Sequence, residues 1–194
     1  MRISLGDVSL WFDVSGPSVI PQADTTAERP VVVAVHGGPG LDHMTVKPAL
    51  GPLAEDFQMV YFDLRGHGRS DHSSAEFWNM PTWADDLRRL CDALGLDKPL
   101  VLGSSFGGNV ALTYAGLFPG HPGGVILANT TGGRSRTHTN SRPALRACSA
   151  LDRIMSRMGT LPQPLVRLPV PAQGPGVGGG VPAQFVDARR HAGT

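Results

Sequence analysis

Apolar runs bounded by turn residues alternate with helix-period stretches along the first two thirds of the chain. That is the rhythm of strands joined by crossover helices around a mostly parallel sheet, an α/β fold. Ile3–Leu5 and Leu10–Val14 predict an opening antiparallel pair joined through Gly6-Asp7. Pro30 then introduces Val31–Val35, five β-favouring or small apolar residues with no alternation, as expected of a central strand covered on both faces. Met59–Phe62, Leu100–Leu102 and Val125–Ala128 are three further runs of that kind, giving about six strands. Between them Trp83–Leu94 predicts a helix through Leu87, Leu90, Cys91 and Leu94, with Asp85 and Asp86 near its positive end and Gly95 stopping it. Gly107–Phe118 predicts another, ended by Pro119-Gly120.

After Gly133 the periodicity fails, which divides the chain into a core, 1–133, and an irregular Arg/Pro/Gly-rich tail, 134–194. Ala147–Met158 has helical spacing through Leu151, Ile154, Met155 and Met158, but Leu161–Gly180 alternates Pro with Val and Leu before a run of glycines, an extended or disordered pattern. Charge divides at the same point. The core carries eight Lys and Arg against 14 Asp and Glu, and the tail nine Arg and no Lys against two acids, which the net charge of +1 conceals. The tail's arginines are scattered among prolines and glycines without interleaved aromatics, so no nucleic-acid surface is expected. Nor is a membrane partner, because no stretch approaches the roughly 20 apolar residues of a span; with no apolar leader at Met1–Asp7, a cytoplasmic location is expected. Cys91 and Cys148 lack the spacing of a disulfide framework or zinc site, and no metal is expected.

Candidate chemistry sits in three loops. Gly103-Ser104-Ser105-Phe106-Gly107 fits G-x-S-x-G between a short apolar strand and a helix, where a sharp turn lifts a serine hydroxyl above the sheet. Ser105 is the candidate nucleophile, with glycine at 103 and 107 leaving room for the chain to reverse and Gly108 adding slack. His36-Gly37-Gly38-Pro39-Gly40 follows Val31–Val35 directly. It is the candidate oxyanion loop, with backbone N–H donors from Gly38 (or Gly37) and from Phe106. Pro39 stiffens this loop, and His36 is expected to order backbone rather than to serve as the base. Asp63-Leu64-Arg65-Gly66-His67-Gly68-Arg69-Ser70 follows the Met59–Phe62 strand and is expected to tie a tight turn to the sheet edge. The remaining histidines, 43, 72, 121, 138 and 191, have no motif around them and are expected at the surface.

These three motifs, in this order, resemble the α/β-hydrolase superfamily, and the first looks most like its proline iminopeptidase branch. The resemblance covers about two thirds of the chain and implies an α/β-hydrolase half-fold that hydrolyses an ester or amide through an acyl-enzyme. For the iminopeptidases it implies release of an N-terminal proline, with a small peptide or ester as substrate and no cofactor. The superfamily places a triad acid and then a histidine after later strands, and no segment beyond Ala128 offers a recognisable setting for either. Asp187 and His191 have the right order but stand four residues apart, whereas a triad acid and base need separate strand ends; they are not expected to be the pair. The tail's composition resembles the output of a shifted reading frame in a GC-rich gene, and Val125–Ala128 would then be an apolar, aggregation-prone sheet edge. Two function classes follow: a serine hydrolase, or a catalytically incomplete remnant or binding module that retains the fold.

Overall fold

The computed structural model describes residues 1–130 and the strand 166–168. The chain opens with the antiparallel pair β1 (Arg2–Ser4) and β2 (Ser9–Ser15), in register Ile3↔Leu10. An outlying hairpin follows, β3 (Val19–Pro21) with β4 (Thr26–Glu28). Then come β5 (Val31–Val35), the one-turn α1 (Lys47–Leu50), β6 (Gln58–Phe62), α2 (Met80–Ala93), β7 (Leu100–Ser104), α3 (Phe106–Leu117), β8 (Gly124–Ala128) and β9 (Val166–Leu168). The chain thus has the expected α/β architecture. The hairpin is an element that pattern reading overlooks: its two strands are three residues each, expose alternate positions and are too short to establish a period of two.

The main sheet runs β1-β2-β6-β5-β7-β8-β9, with β6, β5, β7 and β8 mutually parallel. Because β6 lies on one side of β5 and β7 on the other, the strand order reverses at β5, and the loops leaving β5 and β7 open beside each other at the carboxyl edge. The unbroken apolar runs are explained by burial on both faces. Val33, Val35, Val60, Phe62 and Val101 face α2 and α3, and Val32, Ala34, Met59, Tyr61 and Leu102 face Val46, Leu50, Leu53 and Phe57. Helix α2 starts three residues before Trp83 because the Asn79 side chain accepts from the Thr82 N–H (3.0 Å) and Pro81 occupies the first turn. Its fully buried Leu87 and Leu90 contribute about 1.5–3 kcal/mol apiece by apolar burial.

Two expectations need correction. Val125–Ala128 is not the sheet edge, because β9 pairs antiparallel with β8 through Val125↔Leu168 and Leu127↔Val166. The strand was hidden between Pro164 and Pro169, too short a run to register as a period. Asp86 is not a helix-dipole residue: it is buried in the second turn of α2 and bound in two-pronged fashion by Arg65, Nε–H to Oδ2 (2.8 Å) and Nη2–H to Oδ1 (2.7 Å). The expected helix Ala147–Met158 and the residues Asp187 and His191 lie outside the described residues.

Removing one partner of the Arg65–Asp86 pair strands the other charge in the interior. R65M should therefore lower stability by about 3–5 kcal/mol, and R65M/D86L should recover most of it. Urea unfolding of the two variants decides; equal loss in both would mean the pair matters only through packing.

Candidate functional site

The elbow at the end of β7 places Ser105 at φ 50°, ψ −114°, a left-handed conformation that costs a non-glycine residue about 1–3 kcal/mol. Three hydrogen bonds hold it there. The Ser105 N–H donates to the Ala128 carbonyl (2.9 Å), and the Ser105 carbonyl accepts from the Gly108 N–H (3.0 Å) and from the Thr130 hydroxyl (2.7 Å). The side chain is exposed at the carboxyl edge. The flanking glycines are demanded by close approach. A Cβ at Gly103 would strike the Gly107 carbonyl, and one at Gly107 the carbonyl oxygens of Val35 and His36. At Gly108, expected to add slack, the glycine instead answers a close approach: a Cβ there would strike the Thr130 side chain.

The glycine-rich loop reaches the elbow as predicted. A Cβ built on the buried Gly37 would lie 3.6 Å from Ser105 Cβ and from the Ser104 carbonyl, so the two segments abut. Gly38 (φ 150°) and Gly40 (φ 85°) take conformations that disfavour side chains, and the Gly38–Pro39 peptide is cis. Neither the Gly38 N–H nor the Phe106 N–H has an acceptor among the described residues. For Phe106 this follows from its place at the start of α3, where backbone donors have no intrahelical partner. The Phe106 ring is anchored edge-on against Trp83, at 5.2 Å between centroids.

His36 is fully buried and orders backbone, as its position in the loop implies. Its Nε2 accepts from the Leu64 N–H (3.1 Å), which leaves Nδ1 to donate to the Gly37 carbonyl (2.6 Å). Both nitrogens are consumed in the neutral ring, and burial depresses its pKa. His67 is likewise structural: its Nδ1 lies 2.9 Å from the Arg65 carbonyl, and its ring packs among His36, Trp83 and Phe106.

The Asp63–Ser70 loop is tied down more heavily than its residue types suggest. The buried Asp63 carboxylate accepts from the His43 N–H (2.9 Å) and the Arg69 N–H (2.9 Å), and the His43 Nδ1 lies 2.8 Å from Oδ1. The Ser70 hydroxyl donates to the Asp63 carbonyl (2.5 Å) and accepts from the Trp11 N–H (2.9 Å), which fastens the loop to β2.

Two histidines expected at the surface are elsewhere. His43 is buried and stacked on Trp11 at 4.1 Å. His121 is half-buried, bonded through Nδ1 to the Tyr114 hydroxyl and through Nε2 to Asp92 (2.9 Å). No local motif announces either, because their carboxylate partners, Asp63 and Asp92, lie 20 and 29 residues away in sequence. His72 is exposed, and His138 and His191 lie outside the described residues. Among the described residues, no group of three or more His, Cys, Asp or Glu could hold a metal ion, and no helix is long and apolar enough to cross a membrane.

The family described as alpha/beta hydrolase fold matches residues 30–158, so kinship continues past the change of composition at Gly133. The proline iminopeptidase PfmaB of Pestalotiopsis fici is 28% identical over 129 residues, 66% of this chain and 43% of that protein. A proline iminopeptidase of Clostridium botulinum is 37% identical over 94 residues, 47% of this chain and 32% of that protein. Among solved structures, a proline iminopeptidase-related protein from Thermus thermophilus superposes with a TM-score of 0.57 at 30% identity, over 66% of this chain and 42% of that one. The chain therefore spans less than half the length of these relatives.

The His36 pKa has a consequence for stability. Below the ordinary histidine value of about 6.5 the unfolded chain binds a proton that the folded ring resists, so stability is full above that pH and falls below it. Carboxyls held low, such as Asp7 at about 2 beside Arg89 and Arg65, act only in more acid solution. Thermal melts between pH 7 and pH 5 should show the wild-type Tm falling more steeply than that of H36N. Parallel curves would mean that His36 is protonated without penalty.

Proposed function

We infer, because this chain belongs to the alpha/beta hydrolase family, that Ser105 is the nucleophile of a serine hydrolase acting on amide or ester bonds, most like a proline iminopeptidase that releases an N-terminal proline from small peptides. The observation that carries the reading is the meeting of two features at one sheet edge. An exposed serine in a strained elbow lies against a glycine loop, and two backbone donors, of Gly38 and Phe106, have no acceptor among the described residues. The hydroxyl oxygen of Ser105 would attack the carbonyl carbon. The Gly38 and Phe106 N–H groups would receive the developing oxyanion, an interaction of the kind whose removal typically costs about 10²–10³-fold in rate. Gly37, Pro39, Gly40, Gly103 and Gly107 serve as the supporting framework that lets backbone approach backbone.

Attack also requires a base for the serine proton, which contributes about 10²–10⁴-fold. His36, His43, His67 and His121 are each bonded into other partnerships, so the role is assigned to none of them. That same observation favours the second reading, a non-catalytic family member that keeps the fold and binds without turnover. The iminopeptidase specificity rests on the relatives' names and on the His36–Gly40 loop.

Labelling with a fluorophosphonate probe separates the readings. Covalent modification of Ser105, abolished in S105A, supports the hydrolase, and proline p-nitroanilide against short p-nitrophenyl esters then sorts the substrate class. Absence of labelling in a folded protein supports the binding module.

A further inference from the structure

The loop that leaves β5 is stapled twice to one place. At its start, the His36 Nε2 accepts from the Leu64 N–H (3.1 Å); just past its end, His43 chelates the Asp63 Oδ1 through its backbone N–H (2.9 Å) and its ring Nδ1 (2.8 Å). Asp63 and Leu64 are consecutive residues at the exit of β6, so both staples lie on the β6 flank of β5. The other flank of the loop faces β7, where Gly37 meets Ser105. Between the staples stand Gly38, Pro39, Gly40 and Leu41, a stretch with two positive-φ glycines and three exposed residues in sequence, Pro39 to Leu41. Such a segment has little packing of its own to fix it, and its conformation is set by its ends.

We propose that His43, through Asp63, is a positioning residue for the oxyanion loop: its imidazole holds the far end of residues 36–43 so that the Gly38 amide is presented to the group on Ser105. This rests on the hydrolase reading of Ser105 for its kinetic consequence, though not for its structural one. The bond direction is fixed by chemistry. Oδ1 is an acceptor that already takes the His43 backbone N–H, so the ring must carry its proton on Nδ1. Asp63 is well suited as the anchor. It is fully buried, its second oxygen accepts from the Arg69 N–H (2.9 Å), and Gly68 lies so close that any side chain there would strike the carboxylate. A buried carboxylate that loses one donor is left undercompensated. The ring contributes separately by stacking on Trp11, over whose ring the Arg69 guanidinium also lies, 4.9 Å from the centroid.

The two contributions can be separated by substitution. H43F keeps an aromatic ring on Trp11 and removes the donor; H43N keeps a donor at the Nδ1 position and removes the ring. The expected result is that H43F melts cooperatively, loses at least tenfold in the rate of fluorophosphonate labelling at Ser105, and shows shifted or broadened amide resonances for Gly37, Gly38 and Gly40. Those of the remote turn glycines Gly95 and Gly120 should be unmoved. H43N should label close to the wild-type rate and keep the loop resonances. Equal behaviour of H43F and H43N, or unmoved loop glycines in H43F, overturns the proposal. If the wild-type chain does not label at all, the hydrolase reading fails and the glycine resonances alone decide the positioning role. If H43F does not fold, the wild-type ring decides: ring nitrogen shifts must report the Nδ1–H tautomer, and an Nε2–H tautomer contradicts the bond to Asp63.

Discussion

The left-handed backbone at Ser105 is the constraint on which the site depends. A non-glycine residue remains at φ 50° only when its surroundings over-determine it, and here they do so from three sides. β8 supplies the Ala128 carbonyl, the segment after it the Thr130 hydroxyl, α3 returns the Gly108 amide, and the end of β5 leaves no room for a side chain at Gly107. The hydroxyl is thereby kept out of the interior and beside a loop whose Gly38 amide has no acceptor among the described residues. Each of these bonds is worth only about 0.5–1.5 kcal/mol net, so no single one holds the elbow; their agreement does.

Around that point the structure spends polar groups where a hydrophobic core would ordinarily stand. Arg65 and Asp86 join the loop after β6 to α2, Asp63 joins it to His43, and Ser70 joins it to β2. A half-satisfied buried network would cost more than it contributes, and here Arg65, His43, Ser70 and the Leu64 amide each meet an acceptor at 2.5–3.1 Å. The outcome is a carboxyl edge that is tied down on the β6 side and presents the strained Ser105 on the β7 side. Such an arrangement suits a site that must hold donors in place before any substrate arrives.

Much of this was legible in the sequence because the signals were local. Val31–Val35 announces a central strand by having no polar face, and Ser105 announces an elbow by standing between an apolar strand and a helix with glycines on both sides. The unreadable parts depend on partners distant in the chain. Nothing near Asp86 says that Arg65, 21 residues earlier, lies against it, and nothing near His43 says that Asp63 does. Thr130 is invisible for the same reason, being defined by its 2.7 Å bond to a carbonyl 25 residues away. β9 and the β3–β4 hairpin escaped for a different one: three residues are too few to establish a period of two.

The oxyanion role of the Gly38 and Phe106 amides depends on where a tetrahedral group attached to Ser105 would put its oxygen. A crystal structure of the chain carrying a covalent phosphonate at position 105 reads that directly. It should show the phosphonyl oxygen accepting from the Phe106 and Gly38 amides. A phosphonyl oxygen directed into solvent, with both amides still unbonded, would contradict it.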